Sequence, residues 1–181
     1  VALTRGQYAD MSFETRAEVG VDEYVAMISG KTAVLVALCA ELGALVAGAN
    51  DRRVAHFADF GLNLGLAFQV QDDLLGIWGD EQLIGKSISS DITTRKKTLP
   101  VLYALQHSAP LRQLYAGPGD DAAFVGRVVP LLEAAGARDF TVERAAHYTN
   151  EALSSLALAQ PEGAAAAALL QLSDMLLRRD F

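Results

Sequence analysis

Residues 60–80 read FGLNLGLAFQVQDDLLGIWGD, an apolar stretch interrupted by two adjacent carboxylates. In and before this stretch, Val54, Phe57, Gly61, Leu64 and Phe68 recur at steps of three or four, the spacing of one face of an α-helix. The rest of the chain keeps this spacing, without the sustained alternation that is typical of a β-strand. The sequence therefore predicts an all-α fold.

The boundaries of the predicted helices follow from Gly, Pro and capping residues. Helices are expected over residues 5–16, 22–48, 51–77, 98–107, 121–135, 141–159 and 161–179, with Thr141 as an N-cap. Residues 79–98 and 109–121 are predicted to be polar connections. Ordered loops as long as residues 79–98 are commonly functional, so this connection is a candidate part of a site.

Composition excludes some classes of function. The chain has 181 residues, 51% of them hydrophobic, which suits one globular domain. Its 22 acidic residues outnumber the 15 basic ones, which argues against binding to nucleic acid. Cys39 is the only cysteine and lies in an apolar run, so we expect a buried packing group and a cytoplasmic protein.

The apolar run over residues 32–49 is long enough to raise the question of a membrane span. Glu41 lies in its middle, and Gly43 and Gly48 interrupt it, which favours a helix inside a bundle. We therefore expect no membrane span. A helix that is apolar nearly all round lies at the centre of a bundle or at a subunit interface, so dimerisation through residues 22–48 is predicted.

Asp72 and Asp73 are the first candidates for chemistry. Two like charges near an apolar region are unfavourable unless a cation or hydrogen-bond donors balance them. A pair of carboxylates suits Mg2+, which takes one or two protein carboxylates and is completed by phosphate oxygens. The same pair is equally compatible with a solvated helix end.

Other residues point to the same chemistry. Gly61 and Gly65 clear one stripe of a helix, and Gln69 follows one turn later, although tight helix packing explains the glycines equally well. Lys31, Lys86 and residues 95–97 supply cations, which with Mg2+ suit a diphosphate, although residues 95–97 also fit a solvated loop.

Several blocks carry a resemblance to a known family. They are Gly6-Gln7, Asp10, Glu14, Tyr24, Met27, Lys31-Thr32, Gly61, Gly65, residues 68–73 (FQVQDD), Gly85-Lys86, residues 90–92 (SDI), Lys96 and residues 98–100 (TLP). In this order they resemble the second half of the trans-isoprenyl diphosphate synthases, also called polyprenyl synthetases. The short-chain farnesyl and geranylgeranyl diphosphate synthases are the most similar type.

The resemblance implies a helical bundle around a central cavity, acting as a homodimeric prenyltransferase of isoprenoid biosynthesis. Such enzymes condense an allylic diphosphate with isopentenyl diphosphate by Mg2+-assisted ionisation, 1'-4 coupling and proton loss. The implied metal ligands are Asp72, Asp73 and Asp80, with Asp72 the best candidate for direct contact. The implied substrate-binding residues are Lys31, Thr32, Gln69, Lys86 and Lys96, and the implied catalytic set is Asp72, Lys31 and Lys86.

The chain departs from the family pattern at two places. Gly76 stands where the resemblance implies a third aspartate, and Asp80 follows one turn later as a candidate replacement. The first aspartate-rich motif is missing from the sequence, as are the residues that bind isopentenyl diphosphate. We therefore expect residues 1–181 to be the C-terminal portion of a longer polyprenyl synthetase domain, inactive alone. The resemblance implies a short-chain product, geranylgeranyl or farnesyl diphosphate.

Two alternatives remain open at this point. The chain could be a non-catalytic regulatory subunit of a heteromeric prenyl synthase, pairing through its long apolar helix. It could also be a class I terpene cyclase, which uses Mg2+ and aspartate-rich helices too. Lys31-Thr32 and Gly85-Lys86 fit the chain-elongating synthases better than the cyclases.

Overall fold

The computed structural model describes residues 1–79, 90–117 and 122–177, and within these ranges the elements are helical, with no strand. The helices are α1 (Ala2–Thr15), α2 (Val21–Ile28), α3 (Val34–Val46), α4 (Asp51–Trp78), α5 (Ser90–Thr93), α6 (Leu99–His107), α7 (Ala109–Ala116), α8 (Ala122–Ala134), α9 (Ala137–Ala159) and α10 (Gly163–Leu177). A π-helical turn, Ser29–Ala33, joins α2 to α3. The all-α prediction is confirmed.

Helix α4 is the centre of the bundle. Its N-terminus is capped by Asn50, whose side chain accepts a hydrogen bond from the Arg53 N–H at 3.0 Å. Phe60 and Leu64 pack with α9 on one side, and further along α4 Val70 and Leu74 pack against residues from α2 and α6. This helix therefore fixes the relative positions of the elements that carry the candidate site residues.

Glycines allow α4 to approach α3 and the π-helical turn at the level of the backbone. A Cβ atom on Gly61 would lie 2.6 Å from the Val36 carbonyl oxygen, and one on Gly65 would lie 2.6 Å from the Ala33 Cα. Both distances are far below an ordinary van der Waals contact. Close helix packing, which the sequence left open, is thus the structural use of these glycines.

The predicted continuous helix over residues 22–48 is divided by the π-helical turn. This turn carries Lys31 and Thr32, two of the candidate site residues. Single π-helical turns occur often at functional sites because the extra residue bulges out of the regular helix. The turn packs against the buried Gly6 of α1, where a Cβ would be 2.3 Å from the Lys31 backbone nitrogen.

Three local predictions are wrong. Helix α5, Ser90–Thr93, lies within the predicted connection over residues 79–98, where Ser and Asp are residue types that favour a helix N-terminus. Residues 109–116 form α7 where a connection is expected, because the Ser108 side chain accepts the Leu111 N–H at 3.3 Å and Pro110 fits a first helical turn. Helix α9 begins at Ala137, four residues before the predicted N-cap Thr141, whose hydroxyl instead donates to the Ala137 carbonyl at 2.7 Å.

Helix α3 carries an exposed apolar face. Leu35, Leu38, Leu42 and Leu45 are each 45–50% exposed. Cys39 is exposed on the same helix, so its predicted burial is wrong. The continuous segment Val21–Val46 has the length and composition of a membrane-crossing helix, and 17% of its most apolar window is buried.

Candidate functional site

A cavity of about 620 Å3 lies where α1, α2, the π-helical turn, α4 and the segment before α6 meet. Its walls are formed by Asp10, Phe13, Glu14, Tyr24, Met27, Ile28, Lys31, Gln69, Asp72, Thr94, Arg95, Lys96 and Lys97. Carboxylates and cations therefore share one space with an apolar wall. Such a mixture suits a ligand that has an anionic group and an apolar part.

Lys31 reaches the cavity from the π-helical turn. Its Nζ lies 2.5 Å from Asp10 Oδ2 on α1, and the two side chains are 36% and 27% exposed. The ammonium of Lys31 therefore has a partner within the structure but remains accessible from the cavity. A partly exposed pair of this kind contributes little to stability, so an anionic ligand can compete for the ammonium.

Asp72 and Asp73 are adjacent on α4 but lie in different environments. Asp72 lines the cavity, whereas Asp73 is fully buried and does not. Asp73 Oδ2 accepts the Tyr24 hydroxyl at 2.6 Å and the Leu99 N–H at 3.0 Å. Burial raises the pKa of Asp73 to about 6, an effect that the hydrogen bonds from Tyr24 and Leu99 only partly offset.

Asp73 therefore joins α2, α4 and α6 from behind the cavity wall. Its other oxygen, Oδ1, accepts from Gln69 Nε2 at 3.4 Å, and Gln69 Oε1 accepts from the Thr32 hydroxyl at 3.1 Å. This chain of hydrogen bonds fixes which end of the Gln69 amide faces Thr32. The structure thus brings together Thr32 and Gln69, as their predicted placement in one site requires.

The basic segment over residues 95–97 is anchored on both sides. Arg95 donates to the carbonyls of Tyr115 at 2.8 Å and Gly117 at 2.7 Å. The Lys97 ammonium donates to the carbonyls of Phe13 and Arg16 at the end of α1. Burial, and to a smaller extent the charge of Arg16, lower the pKa of Lys97. A freely solvated loop, the alternative that the sequence left open, does not describe this segment.

Lys96 lies between these two anchors. It lines the cavity, its side chain is 46% exposed, and its Nζ is 3.6 Å from Asp91 Oδ1. The segment therefore presents the Lys96 ammonium to the cavity while its neighbours hold the backbone.

Not every predicted site residue is in this cavity. The structure places Lys31, Gln69, Asp72 and Lys96 in its walls, with Thr32 hydrogen-bonded to Gln69. Asp73 lies behind the wall. Lys86 and Asp80 fall outside the described residues, and their predicted roles remain predictions.

The sequence assigned no role to Asp10, Glu14 and Tyr24, which also line the cavity. Asp10 and Glu14 are one turn apart on α1, so they share a helix face, and this spacing was available as a signal. The contact of Tyr24 with Asp73 depends on the packing of α2 against α4, which has no local signal.

The model of the polyprenyl synthetase family matches residues 1–128. The chain belongs to this family. A geranylgeranyl diphosphate synthase of Mycobacterium tuberculosis is 40% identical, covering 98% of this chain and 51% of that protein. A short chain isoprenyl diphosphate synthase of Methanothermobacter thermautotrophicus is 34% identical, covering 99% and 56%. The chain thus spans about half the length of the curated relatives it matches.

The fold of this chain is similar to the folds of solved structures. A crystal structure of a geranylgeranyl pyrophosphate synthase superposes with a TM-score of 0.89 at 31% identity, covering 99% of this chain and 58% of that one. A polyprenyl synthetase from Streptomyces coelicolor gives a TM-score of 0.88 at 32% identity, covering 97% and 55%. The predicted family membership and the isoprenoid-synthase type of helical fold are therefore confirmed.

Proposed function

We propose that this polyprenyl synthetase is a prenyltransferase that joins an allylic diphosphate to isopentenyl diphosphate. One observation carries the proposal: Asp72, Lys31 and Lys96 surround a single cavity that also has an apolar wall. Relatives named farnesyl, geranylgeranyl and geranylfarnesyl diphosphate synthases support a short-chain product. We place the protein in the cytoplasm.

Mg2+ is the cofactor that the donor set fits. Among the described residues, no three His, Cys, Asp or Glu side chains are close enough to hold a metal ion alone. Mg2+ bound with a diphosphate needs only one or two protein carboxylates, because phosphate oxygens and water complete its coordination. Asp72 is the proposed ligand, and Asp73 supports α4 from behind. The predicted contribution of Asp80 lies outside the described residues.

The proposed reaction separates charge, and the residues of the cavity act on that charge. The C–O bond of the allylic diphosphate breaks with its electron pair on the diphosphate. A carbon–carbon bond to isopentenyl diphosphate then forms, and a proton is lost to the released diphosphate. Lys31 and Lys96 stabilise the negative charge of the leaving group, to which Mg2+ adds further charge stabilisation when bound.

The remaining walls protect and orient the substrate. Phe13, Met27 and Ile28 give the cavity an apolar side, which excludes water from a reactive carbocation. The Thr32 hydroxyl and the Gln69 amide are oriented by their mutual hydrogen bond at 3.1 Å. Gln69 therefore provides a fixed dipole at the cavity wall, held by Thr32, which requires no reorganisation during the reaction.

A second copy of the chain is the proposed partner. Leu35, Leu38, Leu42 and Leu45 repeat at steps of three, four and three along α3, the pattern of a seam between two packed helices. An exposed apolar stripe of this kind marks an interface, and a self-complementary stripe suits a two-fold homodimer. We propose that α3 packs against its symmetry mate, within the predicted range of residues 22–48.

Binding of inorganic diphosphate to the chain, measured by calorimetry with and without Mg2+, tests the site. Lys31→Gln and Asp72→Asn should weaken Mg2+-dependent binding. The matched control is Arg52→Gln, because Arg52 is exposed and lies 20 residues before Asp72 on the same helix, or about 30 Å away. Equal affinities in all three variants would refute the proposed site.

Chain elongation by the full gene product tests the activity. Radiolabelled isopentenyl diphosphate should be incorporated with geranyl or farnesyl diphosphate as primer, in the presence of Mg2+ only. Loss of incorporation in Asp72→Ala would support the assignment. Folded protein without turnover would favour the regulatory subunit instead, and cyclic products would favour the terpene cyclase.

Sedimentation of the chain tests the dimer. Leu38→Glu places a charge in the centre of the leucine stripe and should convert a dimer to a monomer at micromolar concentration. Leu3→Glu is a control, since Leu3 is also exposed, at 42%, but lies on α1. A wild-type monomer would contradict the proposal, and co-sedimentation with lipid vesicles would assign the stripe to a membrane surface.

A further inference from the structure

Gly76 of α4 leaves a space that another element fills. A Cβ atom at this position would lie 2.6 Å from Asp91 Oδ2 and 3.3 Å from its Cγ. The first distance is too short for any real contact, so the carboxylate of Asp91 occupies the volume that a side chain at position 76 would need. Position 76 is one turn after Asp72, on the same face of the helix.

Asp91 is held in this space by its own segment. It lies in α5, next to the fully buried Ile92. The Lys96 N–H donates to the Asp91 carbonyl at 2.8 Å, and the Arg95 N–H donates to the Ile92 carbonyl at 3.0 Å. These two bonds close residues 91–96 into a short loop, which brings the Lys96 side chain back toward the Asp91 carboxylate.

The carboxylate of Asp91 connects α4 with the cavity. Its Oδ2 faces Gly76, while its Oδ1 is 3.6 Å from Lys96 Nζ. Lys96 lines the cavity and Asp91 does not, so Asp91 stands behind the lysine. Its side chain is 17% exposed against 46% for Lys96, which gives the pair an inner anionic end and an outer cationic end.

We infer that Asp91 is a positioning residue that holds the Lys96 ammonium at the cavity, and that the missing side chain of Gly76 is what admits it. The inference rests on the proposed function, because the held ammonium would meet the diphosphate. The aspartate that the family resemblance implies at position 76 of α4 is in this way replaced by Asp91 of α5, whose carboxylate enters the same space from the opposite side.

Exchange of the carboxylate between the two positions tests this inference. Gly76→Ala adds only a methyl group, which forces the Asp91 carboxylate to move out of its observed position. Asp91→Ala removes the carboxylate and keeps a Cβ that lies 3.8 Å from the Cβ position of residue 76, an ordinary contact. The double variant Gly76→Asp with Asp91→Ala returns one carboxylate to the same space. Gly126→Ala is the control, since a Cβ there meets nothing within 4 Å.

The first readout needs no ligand. The intact, folded chain is treated with an amine-acylating reagent and then digested. The rate of Lys96 labelling is followed by mass spectrometry of the resulting peptides. Gly76→Ala and Asp91→Ala should each label Lys96 about two- to fivefold faster, the range expected for loss of an exposed ion pair. The exchange variant should return to the wild-type rate, and Gly126→Ala should not depart from it.

The second readout is the affinity for inorganic diphosphate with Mg2+. Gly76→Ala and Asp91→Ala should weaken it about two- to fivefold, and the exchange variant should restore it. Labelling of Lys96 that is unchanged in Asp91→Ala, or unrestored in the exchange variant, would overturn the inference. Absence of diphosphate binding by the wild-type chain would instead refute the proposed function, while the labelling still decides the relation of Asp91 to Lys96.

Discussion

The contact between Gly6 and the π-helical turn sets how closely α1 approaches Lys31. Replacing Gly6 by Ala puts a methyl carbon 2.3 Å from the Lys31 backbone nitrogen and 2.6 Å from the Gly30 carbonyl carbon. These atoms belong to the backbone, so no side-chain rotation relieves the clash. Helix α1 and the turn must separate instead.

The size of the effect follows from these distances. An ordinary contact begins at 3.4 Å, so α1 and the turn must separate by roughly 1 Å. Overpacking of this kind costs about 1–3 kcal/mol, and a rigid backbone contact lies at the upper end of that range. Alanine recovers about 1 kcal/mol through its higher helix propensity. We expect a net loss of about 2 kcal/mol in the free energy of unfolding.

Urea denaturation followed by circular dichroism measures this loss, and Gly126→Ala is the matched control. Nothing lies within 4 Å of a Cβ on Gly126, so this variant should gain up to about 1 kcal/mol. The two alanine substitutions are thus expected to shift stability in opposite directions. If Gly6→Ala proves as stable as Gly126→Ala, α1 does not pack against the turn as closely as these distances require.

Three further predictions concern the carboxylates of the site. In metal-free buffer the free energy of unfolding, relative to Asp73→Asn, should fall by about 3 kcal/mol as the pH rises from 4 to above 6. In the folded chain the pKa of Asp73 is about 6, against 3.8 for an ordinary aspartate, so between these pH values the folded chain binds a proton that the unfolded chain has released. A difference in unfolding free energy between wild type and Asp73→Asn that stays constant with pH would contradict this prediction. Tyr24→Phe should lower stability by about 1–3 kcal/mol in denaturant unfolding and move the Asp73 transition to higher pH, because it removes a hydrogen bond to the buried carboxylate; an unmoved transition would exclude this role. Asp10→Asn should strengthen metal-free diphosphate binding in calorimetry by releasing Lys31, with less than about 1 kcal/mol change in stability, whereas weaker binding would show that Asp10 orients the lysine.

The fold was predictable because its signals are local. The apolar spacing of residues 51–77 predicts α4 within one residue of its observed end at Trp78. Helix α7 was missed because Pro110 reads as a breaker, and the capping by Ser108 depends on a hydrogen bond that composition does not reveal. The sequence did not predict the π-helical turn because residues 29–33 also suit a regular α-helix.

The site was predictable in its residue types but not in their orientation. Sequence placed Asp72 and Asp73 together and implied metal contact for both. Which carboxylate faces the cavity depends on the packing of α2 and α6 against α4, which surrounds Asp73 with Tyr24 and Leu99. Similarly, the sequence shows only that position 76 lacks a side chain. The structure shows that Asp91 occupies the space that this side chain would fill.

The π-helical turn has a consequence for insertions and deletions. It holds one more residue than an α-helical turn would need, and each residue of an α-helix advances the side-chain direction by about 100°. The turn absorbs this residue as a bulge, so removing one residue from Ser29–Ala33 would close the bulge and leave α2 and α3 in register. The leucine stripe on α3 would keep its outward direction, while the local geometry that presents Lys31 to the cavity would be lost. A single codon in this turn thus changes the inner chemistry of the helix without changing its outer surface.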